Sequence, residues 1–336
     1  MPDDGVSFAQ RLHRRMPAGG YRRGLLFFLA IGIPFLTAVA LGQTAGGLLG
    51  AITGLILSFA DEEGELSRRL QTLGIVALGI AVGGLAGVFM RGFPPALWVL
   101  FAVSTFASGW YLGRSKAWML AARFGSMALV VTSGAPELHV EELVFAVGAL
   151  AVVVIVRVLD HLAGGPLVQQ GGRGRVVPSG GWLRFALAYA GAATASLGVG
   201  VAVDSERALW VVVTTLVVMQ PDARTSYVLI VQRIAGTVLG VVAAFAVTRF
   251  VHQHWAIVAV LLAISPLIPH HLKNRYWLHT ALIALLILLA YDLAAATDPR
   301  IVAGLFIERL QDVLLGGGIA LMGTLVAFPR NPPAES

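Results

Sequence analysis

The chain has no cysteine. Disulfides and thiolate metal ligands are therefore excluded. It is also poor in charge. Only 12% of its 336 residues are Asp, Glu, Lys or Arg, against about 25% in soluble domains. So few charges cannot cover a chain of this length with a polar surface, and the solvent for most of it is lipid. No G-x-x-x-x-G-K-[ST] loop occurs, which excludes ATP hydrolysis through a P-loop. No G-x-S-x-G or H-E-x-x-H motif occurs either, so an enzyme is not expected. His270, His271 and His279 lack carboxylates at ligand spacing, so neither a metal nor a cofactor is expected.

What the chain has is apolar length. It is 57% hydrophobic, with a mean hydropathy of +0.81 and 39 glycines. A helix needs about 20 apolar residues to cross ~30 Å of hydrocarbon. Twelve spans are expected, near 24–42, 44–60, 70–90, 95–112, 117–132 and 140–160, then 182–203, 207–220, 230–250, 254–270, 276–292 and 303–328. With a cytoplasmic N-terminus, 19 of the 24 lysines and arginines fall in inside segments and 4 outside, with Arg309 inside the last span. That is the bias that cytoplasmic loops carry. The net charge of +6 is then topology and not a nucleic-acid footprint. The arginines of the N-terminal arm precede a multi-span chain, so a cleaved signal peptide is not read there. Six tryptophans, Trp210 among them, fall near span ends as interfacial aromatics do.

The halves resemble each other. "LWVLFAVSTFASGWYLGRSKAWML" (97–120) is similar to "HWAIVAVLLAISPLIPHHLKNRYWLH" (254–279), and Gly79 and Gly83 match Gly236 and Gly240 at an offset of 157. Six spans per copy keep one orientation, the parallel-repeat case. The expected fold is an all-α polytopic membrane protein of about twelve helices in two parallel six-helix repeats, with both termini cytoplasmic. Its parts are an arm (1–23), a first repeat (24–162), a Gly/Pro-rich cytoplasmic linker (163–181), a second repeat (182–328) and a tail (329–336). Glycines four apart, such as Gly46, Gly50 and Gly54, suit close helix packing.

The polar interruption "VVMQPDARTSYVLIVQRIAGTVLG" (217–240) carries the candidate site. The eighth span is short, and Pro221 restricts the residue before it, so the span is expected to stop inside the cytoplasmic half of the bilayer. Short segments in corresponding positions of two halves point to a transporter's binding region. The next helix is expected to begin near Val228. Its N-terminus would favour an anion, and Arg233 would offer a planar fork to a carboxylate. Gln232 and Thr237 would add neutral donors. Arg224 is a more exposed candidate, and Thr225 is either a contact or a simple cap. Arg309 and Asp312 share a face of the last span, as a structural ion pair or as an anion contact with a proton relay. Asp61 faces the short span across the repeat, either as a proton acceptor or as the end of a solvated acidic run. His279 is either a coupling residue or simply hydrogen-bonded.

A short span ending in Gln-Pro, a polar turn and then Gln-Arg-x-x-Gly-Thr-x-x-Gly resembles the fusaric acid resistance protein family. The stretch "ERLQDVLLGGGIALMGTLV" (308–326), with Arg309, Asp312 and Gly316, resembles that family's other marked segment. The resemblance implies an inner-membrane exporter of aromatic or other organic acid anions, similar to plant malate-type anion channels. It leaves a periplasmic adaptor or a homodimer as the protein partners. Larger bacterial members carry a soluble domain after each half. Here a nineteen-residue linker and an eight-residue tail stand in those places.

Overall fold

The computed structural model describes residues 20–61, 64–134, 140–165, 178, 181–203, 209–251, 253–271, 275–295 and 299–328. The arm before residue 20, most of the linker and the tail lie outside them, as do Glu62 and Glu63. The described chain is a helical membrane bundle. Its helices are α1 (Gly20–Ala40), α2 (Thr44–Ala60), α3 (Leu66–Met90), α4 (Pro94–Tyr111), α5 (Lys116–Gly134), α6 (Val140–Gly164), α7 (Trp182–Ala202), α8 (Leu209–Val218), α9 (Ala223–Phe250), α10 (His254–Ile264), α11 (Ile268–His271), α12 (Tyr276–Ala295) and α13 (Pro299–Ala327). Seven of them are long and apolar enough to cross a membrane, and three shorter apolar helices accompany them. The expected tenth span is broken. Pro266 sits in a 3₁₀ turn, Ser265–Leu267, between α10 and α11, because proline cannot supply the backbone donor a continuous helix needs.

In lipid every backbone polar group must be satisfied inside the protein, which is why long apolar runs become helices. Apolar burial gives no drive between helices there, so close packing does the work. A Cβ on Gly83 would collide with the backbone of Gly125, and one on Gly79 with Ala121, where α3 meets α5. Gly236 and Gly240 meet the backbone at Trp277 and Ala281 in the same way, where α9 meets α12. Within the first half α1 packs on α2 and α6, α2 on α6, α3 on α5, and α4 on α5. Within the second, α7 packs on α8 and α13, α8 on α13, α9 on α12, and α10 on α12. The halves interlock. Phe101 and Met127 share one apolar cluster with Phe185, Tyr189 and Leu216. Phe27, Ile31 and Phe35 share another with Leu261 and Leu289.

Two expectations about the polar interruption change. The helix after it starts at Ala223, five residues before Val228, because Asp222 caps it: the Thr225 backbone N–H donates to the Asp222 carboxylate at 2.7 Å. The end of α8 also lies nearer the linker side than expected. Arg184 at the start of α7 donates to the Val326 carbonyl at the end of α13, which defines one face of the bundle, here the linker side. A Cβ on Gly323, one turn from that end, would touch Met219, so the α8 chain reaches close to the linker side. Its first turn, at Trp210, lies instead beside Arg309 and Asp312, roughly 15 Å along α13 from Pro299.

Candidate functional site

Beside Trp210 lies a small cleft of about 10 Å³, lined by Trp210, Ile287, Leu288, Tyr291, Glu308, Arg309 and Asp312. Arg309 and Asp312 are 4% and 3% exposed. Three residues apart on α13, they share a face, as expected. The Arg309 guanidinium lies 4.0 Å from the centre of the Trp210 ring, a cation–π contact that gains strength away from water. Trp210 is thus no interfacial anchor but a wall of the cleft. Arg233 and Asp312 both lie within electrostatic reach of Arg309.

Arg233 is 5% exposed on the buried face of α9, with Gly236, Thr237 and Gly240. Because α9 starts at Ala223, Arg233 is three turns into the helix and away from the N-terminal N–H groups. The register comes from Gly317, which packs on Ile230 and Ile234. Eight residues separate Gly317 from Arg309, so the two cations are staggered by roughly 12 Å along the bundle. Their long side chains close part of that gap. Among the described residues, Arg233 Nε, Arg309 Nε and Nη1, and Thr237 Oγ1 are buried without a hydrogen-bond partner. Buried donors left this way cost about 1–3 kcal/mol each, more when charged. An incoming anion would remove that cost.

Neighbouring hydroxyls hold the frame. Ser196 and Thr215 lie 2.6 Å apart, and Thr215 donates to the Gly316 carbonyl, tying α7, α8 and α13 together beside the cleft. Where α8 stops, its Leu216 carbonyl accepts a hydrogen bond from the Tyr189 hydroxyl at 2.6 Å. Tyr189 accepts one in turn from Arg123 of α5 at 2.8 Å.

The other expected residues are elsewhere. Pro221, Arg224 and Thr225 form the linker-side turn, roughly 12 Å or more along α9 from Arg233. Thr225 is a cap, with its N–H and its hydroxyl both donating to Asp222. Arg224 is exposed, and Gln232 is half-buried on α9. Asp61 belongs to an ion network on the linker side. It takes both 2.9 Å hydrogen bonds of Arg69, and Arg157 Nε lies 2.6 Å from it. Asp160 bridges Arg69 and Arg22. His279 is buried against the Ile268 carbonyl at 3.0 Å, edge-on to Phe59. Among the described residues no group of histidines and carboxylates could hold a metal.

Arg69, Arg123 and Arg157 are among the basic residues counted in the inside segments. They are 0%, 7% and 0% exposed. The signal was present for two of them, since Arg123 and Arg157 lie inside expected spans, where an ionisable residue has a task by default.

The described chain is a multi-pass helical bundle with buried arginines beside an aromatic wall. Residues 183–323 match the family described as fusaric acid resistance protein-like. The family resembled by the turn at Gln220–Pro221 and by α13 is thus the family that the second half matches. No curated protein matches the chain, and no solved structure does.

Proposed function

We propose that this chain is a secondary transporter, not an enzyme, which exports organic acid anions with an aromatic part across a bacterial inner membrane in exchange for protons. The observation that carries the reading is the pair Arg233 and Arg309. Both are buried, with N–H groups unpartnered among the described residues. Two cations within electrostatic reach raise each other's energy, and an anion between them relieves it. The substrate carboxylate takes the place of water at the guanidinium groups, and its ring lies against Trp210. Asp312, within reach of Arg309, is the carboxylate that takes up the proton.

The matching helix partners in the two halves, and the matching glycine contacts at 79/83 and 236/240, support the reading of two parallel repeats with both termini cytoplasmic. The linker side is then the cytoplasmic side, and the cleft lies toward the periplasm. In the first half Arg69 and Arg157 meet Asp61 and Asp160 on the linker side, away from the cleft, which leaves binding to the second half. A passive anion channel is the second reading. It is favoured by the stagger of the two cations along one line, which suits successive resting points for an ion.

The test is flux of an aromatic carboxylate into proteoliposomes. Arg233→Ala is expected to lose at least nine-tenths of the wild-type rate while still inserting and purifying as a single species. Undiminished flux in that variant would remove the site.

A further inference from the structure

A second cavity, away from the site, is an open groove of about 600 Å³ between α7 and α13. Its walls are Leu183, Leu187, Gly191, Ala195, Met322 and Val326 among others, all apolar, and its one charged lining residue is Arg184. Gly191 forms the floor: a Cβ there would meet nothing within 4 Å. The groove opens to the lipid-facing surface, where Leu183, Leu187, Met322 and Val326 are exposed.

We propose that this groove is a binding site for one anionic phospholipid, with an acyl chain in the groove and the phosphate on Arg184. Length favours a lipid over a second copy of the chain. From Leu183 to Ala195 the groove runs roughly 18 Å, about one leaflet of a ~30 Å hydrocarbon layer. It stops there, although α7 continues to Ala202. A partner helix would need contact through both leaflets, whereas one acyl chain needs only one. Charge fits as well. Arg184 is exposed at the mouth of the groove and spends Nε and Nη2 on the Val326 carbonyl. That contact fixes the guanidinium over the groove and leaves Nη1 for a phosphate oxygen.

The experiment reconstitutes the full chain in vesicles of equal phosphatidylglycerol and phosphatidylcholine. It then extracts the protein in mild detergent and counts retained lipids by native mass spectrometry. Wild type is expected to keep phosphatidylglycerol by about fivefold, the factor for one arginine at a membrane surface. Arg184→Gln is expected to lose that preference. Gly191→Leu fills an open position and is expected to lose retention of either lipid, and it remains a valid test if the Arg184 variant does not fold. Three results would each overturn the proposal: equal retention of both lipids by wild type, unchanged retention in Gly191→Leu, or Gly191→Cys cross-linking two copies in the membrane. The proposal stands apart from the transport reading, since none of these lipid-retention outcomes depends on flux.

Discussion

In the proposed site a single aromatic ring lies against Arg309. Trp210 holds the guanidinium 4.0 Å from its ring centre, and a contact of this kind is worth about 1 kcal/mol, or roughly fivefold in affinity. Trp210→Leu keeps the apolar wall and removes the ring quadrupole. It is expected to raise KM for an aromatic carboxylate about fivefold with little change in maximal rate, measured as initial flux against concentration. An unaltered KM would mean that the ring only fills space. Asp222 acts at the other end of the region. Hydrogen bonds from the Thr225 hydroxyl and the Thr225 backbone N–H hold its carboxyl below the usual carboxylate range. The folded state therefore binds the proton less readily than the unfolded chain. The stabilisation is fully present above the unfolded value near ~4 and is lost as pH falls through the folded one. At neutral pH Asp222→Ala is expected to cost about 1 kcal/mol, visible as a lower melting temperature in detergent. The difference from wild type should shrink at pH 3.

Elements are positioned by what glycine omits. Gly83 lets α3 lie against the backbone of Gly125 on α5, and no side chain can be accommodated there without parting the helices. Gly83→Leu is expected to lose the monodisperse peak in size-exclusion chromatography. Gly148→Leu, at an exposed glycine with open space around it, should leave the peak unchanged. Most helical segments were legible in the sequence because apolar length and the Gly and Pro punctuation are local signals. Pro221 marks the end of α8, which stops at Val218. Arg309 and Asp312 were legible as a pair, since three residues on one helix fix a shared face. Arg233 was legible as an intramembrane cation, yet its depth was misjudged, because the capping role of Asp222 went unread and the start of α9 was placed five residues late. Trp210 and Tyr291 were missed as walls of the site, since their meeting with Arg309 joins three helices far apart in the chain.

Across the whole molecule, charge is divided unequally between two similar bundles. In the first half Arg22, Arg69 and Arg157 are answered by Asp61 and Asp160, and the ends of α1, α2, α3 and α6 are stitched together on the linker side. In the second half Arg233 and Arg309 have Asp312 and Glu308 close at hand and keep unpartnered N–H groups. The first bundle gathers its charges into one linker-side network, while the second sets Arg309 and Asp312 against the Trp210 ring. If Asp312 exchanges its proton as the anion passes, flux in proteoliposomes should be driven by an imposed pH gradient at zero voltage. Asp312→Asn should abolish that drive while leaving counterflow of labelled against unlabelled anion intact, because counterflow needs binding and movement but no net proton transfer. A protein of the channel kind would behave otherwise. Wild type would ignore the pH gradient and follow voltage, and Asp312→Asn would alter conductance without altering the driving force. The two outcomes separate coupling at Asp312 from a purely structural partnership with Arg309, since a structural partner would take counterflow and gradient-driven flux down together.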